Sequence, residues 1–422
     1  MRLYQAIILG TVFLRYFLLF FEWWSVQKQK KELPSELSDV TTPEQFTKIN
    51  EYTLVRTKFS LVKATFALAV LLVFWFSGGF NALDHWIRSF NLGPITTGIL
   101  YIGILGFANS ILSIPFDWYS TFVIEERFGF NKTTTWLFII DRIKGYALAA
   151  ALGIPLLAVI LWFFERTGSN AWLYCWLVSV AFSLALQYIA PVWILSLFNK
   201  YTPLPEGDLR HAILAYARQV QFPFKEIFVM DGSKRSTKSN AFFTGFGKYR
   251  RIALFDTLVS GSTDPEIVSV LAHEVGHYKK KHIITGIILS FLYMGFVFYL
   301  LSIFIDRKKL FDAFYINYPS VYTGLVFFGL LFEPLSFLFS IAFNALSRHN
   351  ENQADQYAVE TTPDRQNLIS ALKKLYANNL ANLTPHPLYV FLNYTHPPLL
   401  ERIRRIRSAE EQRSGGAEGI AN

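Results

Sequence analysis

Leu271-Ala272-His273-Glu274-Val275-Gly276-His277-Tyr278 carries His-Glu-x-x-His at a spacing that a helix makes useful. Four residues apart on a helix, His273 and His277 project from one face and can close on a single ion, which the ligand type predicts to be one Zn2+ per chain. Glu274, beside the first ligand, is placed to take the proton of an attacking water as general base. Three fixed positions recur by chance, so the flanks matter. Pro265-Glu266 followed by Val268, Val270, Leu271 and Val275 predicts a helix start with an apolar face, and Ser262-Thr263-Asp264 offers N-caps.

A hydrolytic zinc site needs a third protein ligand and leaves the fourth position open. The best candidate is Glu351, with Asp355 one turn further on the same face, in Ser347-Arg348-His349-Asn350-Glu351-Asn352-Gln353-Ala354-Asp355. Two apolar stretches separate the motifs. If 283–304 leaves as a membrane helix and 321–343 returns antiparallel, His277 and Glu351 end at similar depth, roughly two helical turns from the membrane. Asp355 would then accept the free N–H of a ligating histidine and fix its tautomer. The competing reading of Glu351 and Asp355 is a solvated helix face.

The 422-residue chain is 52% hydrophobic and 17% aromatic, with a mean hydropathy of +0.29, which points to a polytopic membrane protein. Its net charge of +9 resides mostly in loops beside apolar spans, and no RNA- or DNA-binding motif accompanies it, so nucleic acid is not an expected partner. The single cysteine, Cys175, lies in an apolar run; it excludes an intrachain disulfide and a cysteine-based metal site. Residues 3–26 lack a small-residue cleavage site and run into Trp23-Trp24, an interfacial pair, so they read as a span and not a signal peptide.

Seven apolar windows of roughly 20 residues fall near 3–26, 59–80, 95–116, 145–165, 171–198, 283–304 and 321–343. Loops after the odd-numbered windows hold most of the lysine and arginine, including Lys28, Lys58, Arg127, Arg142 and the segment from Lys200 to Lys281. The positive-inside rule therefore expects the metal motif and the C-terminus on the cytoplasmic side. On that side the Asn131 and Asn393 sequons escape glycosylation. Arg15 and Glu333 are charges inside spans, which either line a water-filled cavity or pair between helices.

The expected fold is an all-α polytopic membrane protein of about seven transmembrane helices with a small α+β metalloprotease domain. Residues 1–198 would form the N-terminal membrane domain, 199–407 the metallopeptidase domain with its two further spans, and 408–422 a disordered tail. Within the second domain, Leu209–Gln219 has helical spacing and Glu226–Met230 alternates like a strand. Ala241-Phe242-Phe243-Thr244 and Arg251-Ile252-Ala253-Leu254-Phe255 read as a hairpin around Gly245-Phe246-Gly247. Its exposed edge could hold an extended peptide by main-chain hydrogen bonds, or the hairpin could simply pack on the metal helix. His396, ahead of Pro397-Pro398, is either pinned over a site or structural.

The His273–His277 motif, the Glu351–Asp355 block, Asn240-Ala241 and His396-Pro397-Pro398-Leu399-Leu400-Glu401-Arg402 together resemble the integral-membrane zinc CAAX prenyl protease family. Thr42-Pro43-Glu44-Gln45-Phe46 and the run from Thr121 to Asn131 extend the resemblance over nearly the whole chain. It implies seven membrane helices around a water-filled chamber with the site facing inward. It also implies His273, His277 and Glu351 as zinc ligands, Glu274 as base, Asp355 as carboxylate behind the ligands, Asn240 and His396 on peptide or oxyanion, and Arg402 on substrate. The expected partners are a peptide or protein substrate, prenylated in the CAAX case, and membrane lipid. A short segment between the last two spans, Asp306–Ser320, and a C-terminus without a dilysine-type signal fit a prokaryotic, inner-membrane member; a eukaryotic one would lie in the endoplasmic reticulum membrane. The alternatives are a quality-control zinc protease of the heat-shock type and a non-enzymatic transporter or channel.

Overall fold

Proline and threonine punctuate this chain where long apolar helices must start. Thr42, Thr134 and Ser320 each accept a hydrogen bond from the backbone N–H three residues on, and Pro43, Pro94 and Pro265 occupy first-turn positions where no N–H is needed. The computed structural model describes residues 2–28, 32–244 and 251–418. The chain begins α1 (Arg2–Gln27), α2 (Pro43–Phe76), α3 (Gly79–Arg88), α4 (Pro94–Tyr119), α5 (Thr135–Arg166), α6 (Ala171–Ile189) and α7 (Leu195–Phe198). There follow β1 (Tyr201–Pro203), α8 (Asp208–Gln219), β2 (Glu226–Met230), β3 (Ala241–Thr244), β4 (Arg251–Phe255) and α9 (Asp256–Gly261). The last part comprises α10 (Asp264–Lys279), α11 (His282–Phe304), α12 (Lys308–Ala313), α13 (Val321–Thr361), α14 (Gln366–Asn378), α15 (Pro387–Asn393) and α16 (Leu399–Glu418).

Among the described residues, seven helices are long and apolar enough to cross a membrane: α1, α2, α4, α5, α6, α11 and α13, with α4 and α6 prolonged by neighbouring turns. They match the seven windows, but their ends run further. Helix α2 starts 16 residues before its apolar window, and the 41 residues of α13 carry it about 60 Å, past the metal ligand Glu351 to Thr361. Neighbours close a ring: α13 packs on α1, α1 on α2, α4 on α5, α5 on α6, α6 on α11, and α11 back on α13, while Phe59 and Phe66 of α2 meet Phe116 of α4.

Two packed cores sit at opposite ends of that ring. One gathers Trp75, Phe80, Tyr101, Leu161, Phe311, Phe314, Tyr322 and Phe327 near the α11–α13 turn. The other, built from Phe46, Tyr52, Ile124, Ile252, Leu271 and Ile403 among others, joins α2 to the metalloprotease domain. Between them burial is sparse: among the described residues, α5 buries Leu161 alone, and α13 buries nothing between Phe332 and Glu351. Arg15 and Glu333 face each other across this stretch at 2.9 Å, so they are a pair between helices, each still more than a third exposed.

The sheet has the order β1-β2-β4-β3, with β2 parallel to β4 and both outer pairs antiparallel. The predicted pairing of 241–244 with 251–255 is present, Ala241 opposite Leu254 and Thr244 opposite Arg251, while the turn at Gly245-Phe246-Gly247 lies outside the described residues. The α9 turn separates this pair from the metal helix. The basic helix expected over 399–407 runs on to Glu418, through the strong helix formers Ala409-Glu410-Glu411-Gln412-Arg413. Residues 419–422 lie outside the described residues.

Candidate metal centre

Helix α10 opens with a capping box, Thr263 N–H donating to Glu266 Oε2 at 2.8 Å, and buries Ile267, Leu271, Ala272 and Val275. That orientation turns His273 and His277 toward α13. Gly276 makes the approach possible: a Cβ there would come within 2.9 Å of the Ala354 Cα and 3.0 Å of its carbonyl oxygen. Across this contact stand Glu351, one turn before Ala354, and Asp355 immediately after it.

The ligand atoms of His273, His277 and Glu351 all lie within 4.8 Å of one another. Glu351 Oε2 is 3.4 Å from His273 Nε2, Oε1 is 3.3 Å from His277 Nε2, and the two Nε2 atoms are 3.2 Å apart. Glu351 is 4% exposed, and its Oε2 is buried without a hydrogen-bond donor. Two imidazole nitrogens and an orphaned carboxylate oxygen converging on one point is the donor set of a hydrolytic zinc site, so the residues fit the metal. The solvated-face reading of Glu351 and Asp355 fails, since both are buried.

Behind the ligands, His273 Nδ1–H donates to Asp355 Oδ1 at 2.8 Å, which leaves Nε2 for the metal. Burial opposes charging His273, but the hydrogen bonds to Asp355 and Glu351 outweigh it and raise its pKa to about 9. Arg402, expected on substrate, lines the cavity beside the ligands; 5% exposed, it also donates to both oxygens of Asp355, at 2.8 and 2.6 Å. Its charge therefore holds the carboxylate that holds His273. Burial raises the pKa of Glu274, against the nearby histidines, keeping this carboxylate a better proton acceptor than a solvated one.

His277 has its own supporting chain, which the motif alone did not reveal. Gln353 Oε1 can only accept from His282 Nε2 (2.8 Å), so His282 Nδ1 accepts the Nδ1–H of His277 (3.1 Å), and Gln353 Nε2 donates to His349 at 3.1 Å. His282 reaches back because Lys281 adopts a left-handed backbone, φ 60°, which breaks the helix between α10 and α11.

A cavity of about 560 Å3 opens beside these groups. Asn240, immediately before β3, lines it together with Glu274; Leu368, Leu372 and Leu375 of α14 contribute apolar lining, as Tyr394 and His396 contribute polar groups. His396 Nε2 lies 3.3 Å from Glu351 Oε1, so it stands over the site; burial lowers its pKa. In the sheet β3 has only β4 as a neighbour among the described residues, leaving its other edge free.

Residues 22–200 match a family described as the CAAX prenyl protease N-terminal region with five membrane helices, and residues 203–410 match peptidase family M48. A CAAX prenyl protease 1 homolog of Arabidopsis thaliana is 38% identical over 90% of this chain and 91% of its own length. The CAAX prenyl protease 1 of Saccharomyces cerevisiae is 34% identical over 90% of each chain, and the Homo sapiens homolog 31% identical over 92% and 91%. The crystal structure of S. mikatae Ste24p superposes with a TM-score of 0.90 at 34% identity, covering 96% of this chain and 99% of that one. A transporter whose histidines merely pack accounts for neither the ligand cluster nor these likenesses. The chain belongs to the CAAX prenyl protease family and is a membrane-embedded zinc metalloendopeptidase of that type.

Proposed function

We propose that this enzyme cleaves extended C-terminal peptides of the CAAX class, releasing the aaX tripeptide from a prenylated cysteine, with one zinc ion held by His273, His277 and Glu351. The observation that carries the reading is the convergence of a buried ligand triad, an adjacent carboxylate and a free strand edge on one cavity. When bound, zinc supplies Lewis acidity toward the scissile carbonyl and the water. The peptide adds to the β3 edge by main-chain hydrogen bonds, its aliphatic side chains against Leu368, Leu372 and Leu375. Glu274 removes the proton of the attacking water and delivers it to the leaving amine as the C–N bond breaks. Asn240 and His396 donate to the developing oxyanion, where losing one donor costs about 3 kcal/mol of barrier. Asp355 and Arg402 keep His273 in its binding tautomer. The lysine and arginine distribution supports a site on the cytoplasmic side of the membrane.

The test is zinc analysis and proteolysis on detergent-purified protein, with paired Cys-a-a-X peptides bearing and lacking a prenyl group. Glu274→Ala should keep its zinc and lose about 100- to 10,000-fold in rate. A Glu274→Ala enzyme as fast as the wild type sinks the mechanism. Equal cleavage of both peptides sinks the prenyl requirement and favours a broader quality-control range.

A further inference from the structure

The Thr121–Asn131 run is far from the metal ligands in sequence, yet it is fastened to the segment that delivers Asn240 to the cavity. It starts in a π-turn, Ser120–Glu125, at the end of α4, a winding that re-aims the residues following it. Glu125 Oε1 accepts from the Tyr52 hydroxyl of α2 at 2.7 Å. Lys238 Nζ donates to Glu125 Oε2 at 2.9 Å and to the Tyr52 oxygen at 2.8 Å, and lies 4.4 Å from the Phe130 ring centroid.

Backbone bonds close the same seam. Thr237 N–H donates to the Phe130 carbonyl at 3.1 Å, and Lys132 N–H to that of Arg235 at 3.0 Å. Arg235 grips Asp141 of α5 through two bonds, at 2.7 and 3.0 Å. On the other side, Asn379 brackets Ser239, accepting from its N–H at 3.1 Å and donating to its carbonyl at 3.3 Å. The next residue is Asn240. A four-residue edge strand hydrogen-bonded to one neighbour has little of its own to fix its position, so its entry point must be held from outside. An exposed ion pair would contribute little, but Lys238 is about two-thirds buried with three partners, Tyr52 of α2, Glu125 at the end of α4 and Phe130 of the loop between α4 and α5.

We infer that Tyr52, Glu125 and Lys238 form a clamp by which the membrane domain fixes the placement of the peptide-receiving strand relative to the metal ligands. It rests on the reading that the β3 edge binds the peptide. These are positioning residues: none touches the ligands or Glu274, so the clamp acts on substrate binding and on the placement of Asn240 and leaves the metal site alone. Coupling runs both ways, so spreading α2 from α4 would displace the strand.

The experiment uses full-length purified enzyme with Glu125→Gln, Lys238→Met and the exchanged pair Glu125→Lys with Lys238→Glu. Each single variant should raise KM about tenfold, lower kcat by no more than the loss of one oxyanion donor, about 100-fold, and keep its zinc content unchanged. Amide exchange should quicken over 236–244 and not elsewhere, and the exchanged pair should recover a substantial part of the loss. Unchanged KM and exchange overturn the clamp, as does a joint fall of kcat, zinc content and protection throughout the chain. Should the wild type cleave no peptide, the proposed substrate class fails, while exchange over 236–244 still decides the clamp.

Discussion

His277 shows how much of a metal site lies behind its ligands. Its Nε2 faces the other donors only while Nδ1–H is engaged by His282, and His282 is held in turn by Gln353. Gln353→Ala should therefore weaken zinc binding about 10- to 100-fold, read by chelator competition, without displacing Glu351; an unaltered affinity would remove Gln353 from the site. His273, Glu274 and His277 were legible in the sequence because one helical turn relates them, and Glu351 with Asp355 for the same reason. His282 was not. Five residues beyond His277 on a continuous helix it would point elsewhere, and only the left-handed Lys281 folds it back. Arg402 was legible as a member of the site but not in its partner, because its contact with Asp355 depends on how α16 crosses α13.

At the level of elements, the closest approach in the site is that of α10 and α13 at Gly276. A methyl group there meets backbone, which cannot swing aside as a side chain would. Gly276→Ala should lower thermal stability by about 1–3 kcal/mol and weaken metal binding in parallel, because the added volume parts the helices that carry the ligands. Gly286→Ala, where a Cβ meets nothing within 4 Å, is the matched control and should shift stability by no more than about 0.5 kcal/mol. A Gly276→Ala protein indistinguishable from that control would refute the close-packing account. The out-and-back helix pair that brings the two motifs together was legible from two apolar windows. The end of α16 was harder to read, because glycines and a serine follow the helix formers through which the helix continues to Glu418.

Across the whole molecule, the seven spans followed from composition, whereas the thinly buried stretch between the two cores did not: in sequence, residues facing lipid and residues facing a cavity look alike. Arg15 and Glu333 report on that stretch. Both remain partly exposed while paired, so Glu333→Gln should cost about 1 kcal/mol or less in thermal unfolding of the detergent-purified protein. A loss of about 3–5 kcal/mol would mean a dry pair and a sealed interior. The ligand set also has a temporal side. His273 and His277 leave the ribosome before the last two spans, Glu351 only after α13 has crossed the bilayer, and Arg402 later still. A nascent chain therefore exposes its histidine pair while still unable to assemble the centre, and hydrolytic competence arises only once membrane insertion is complete.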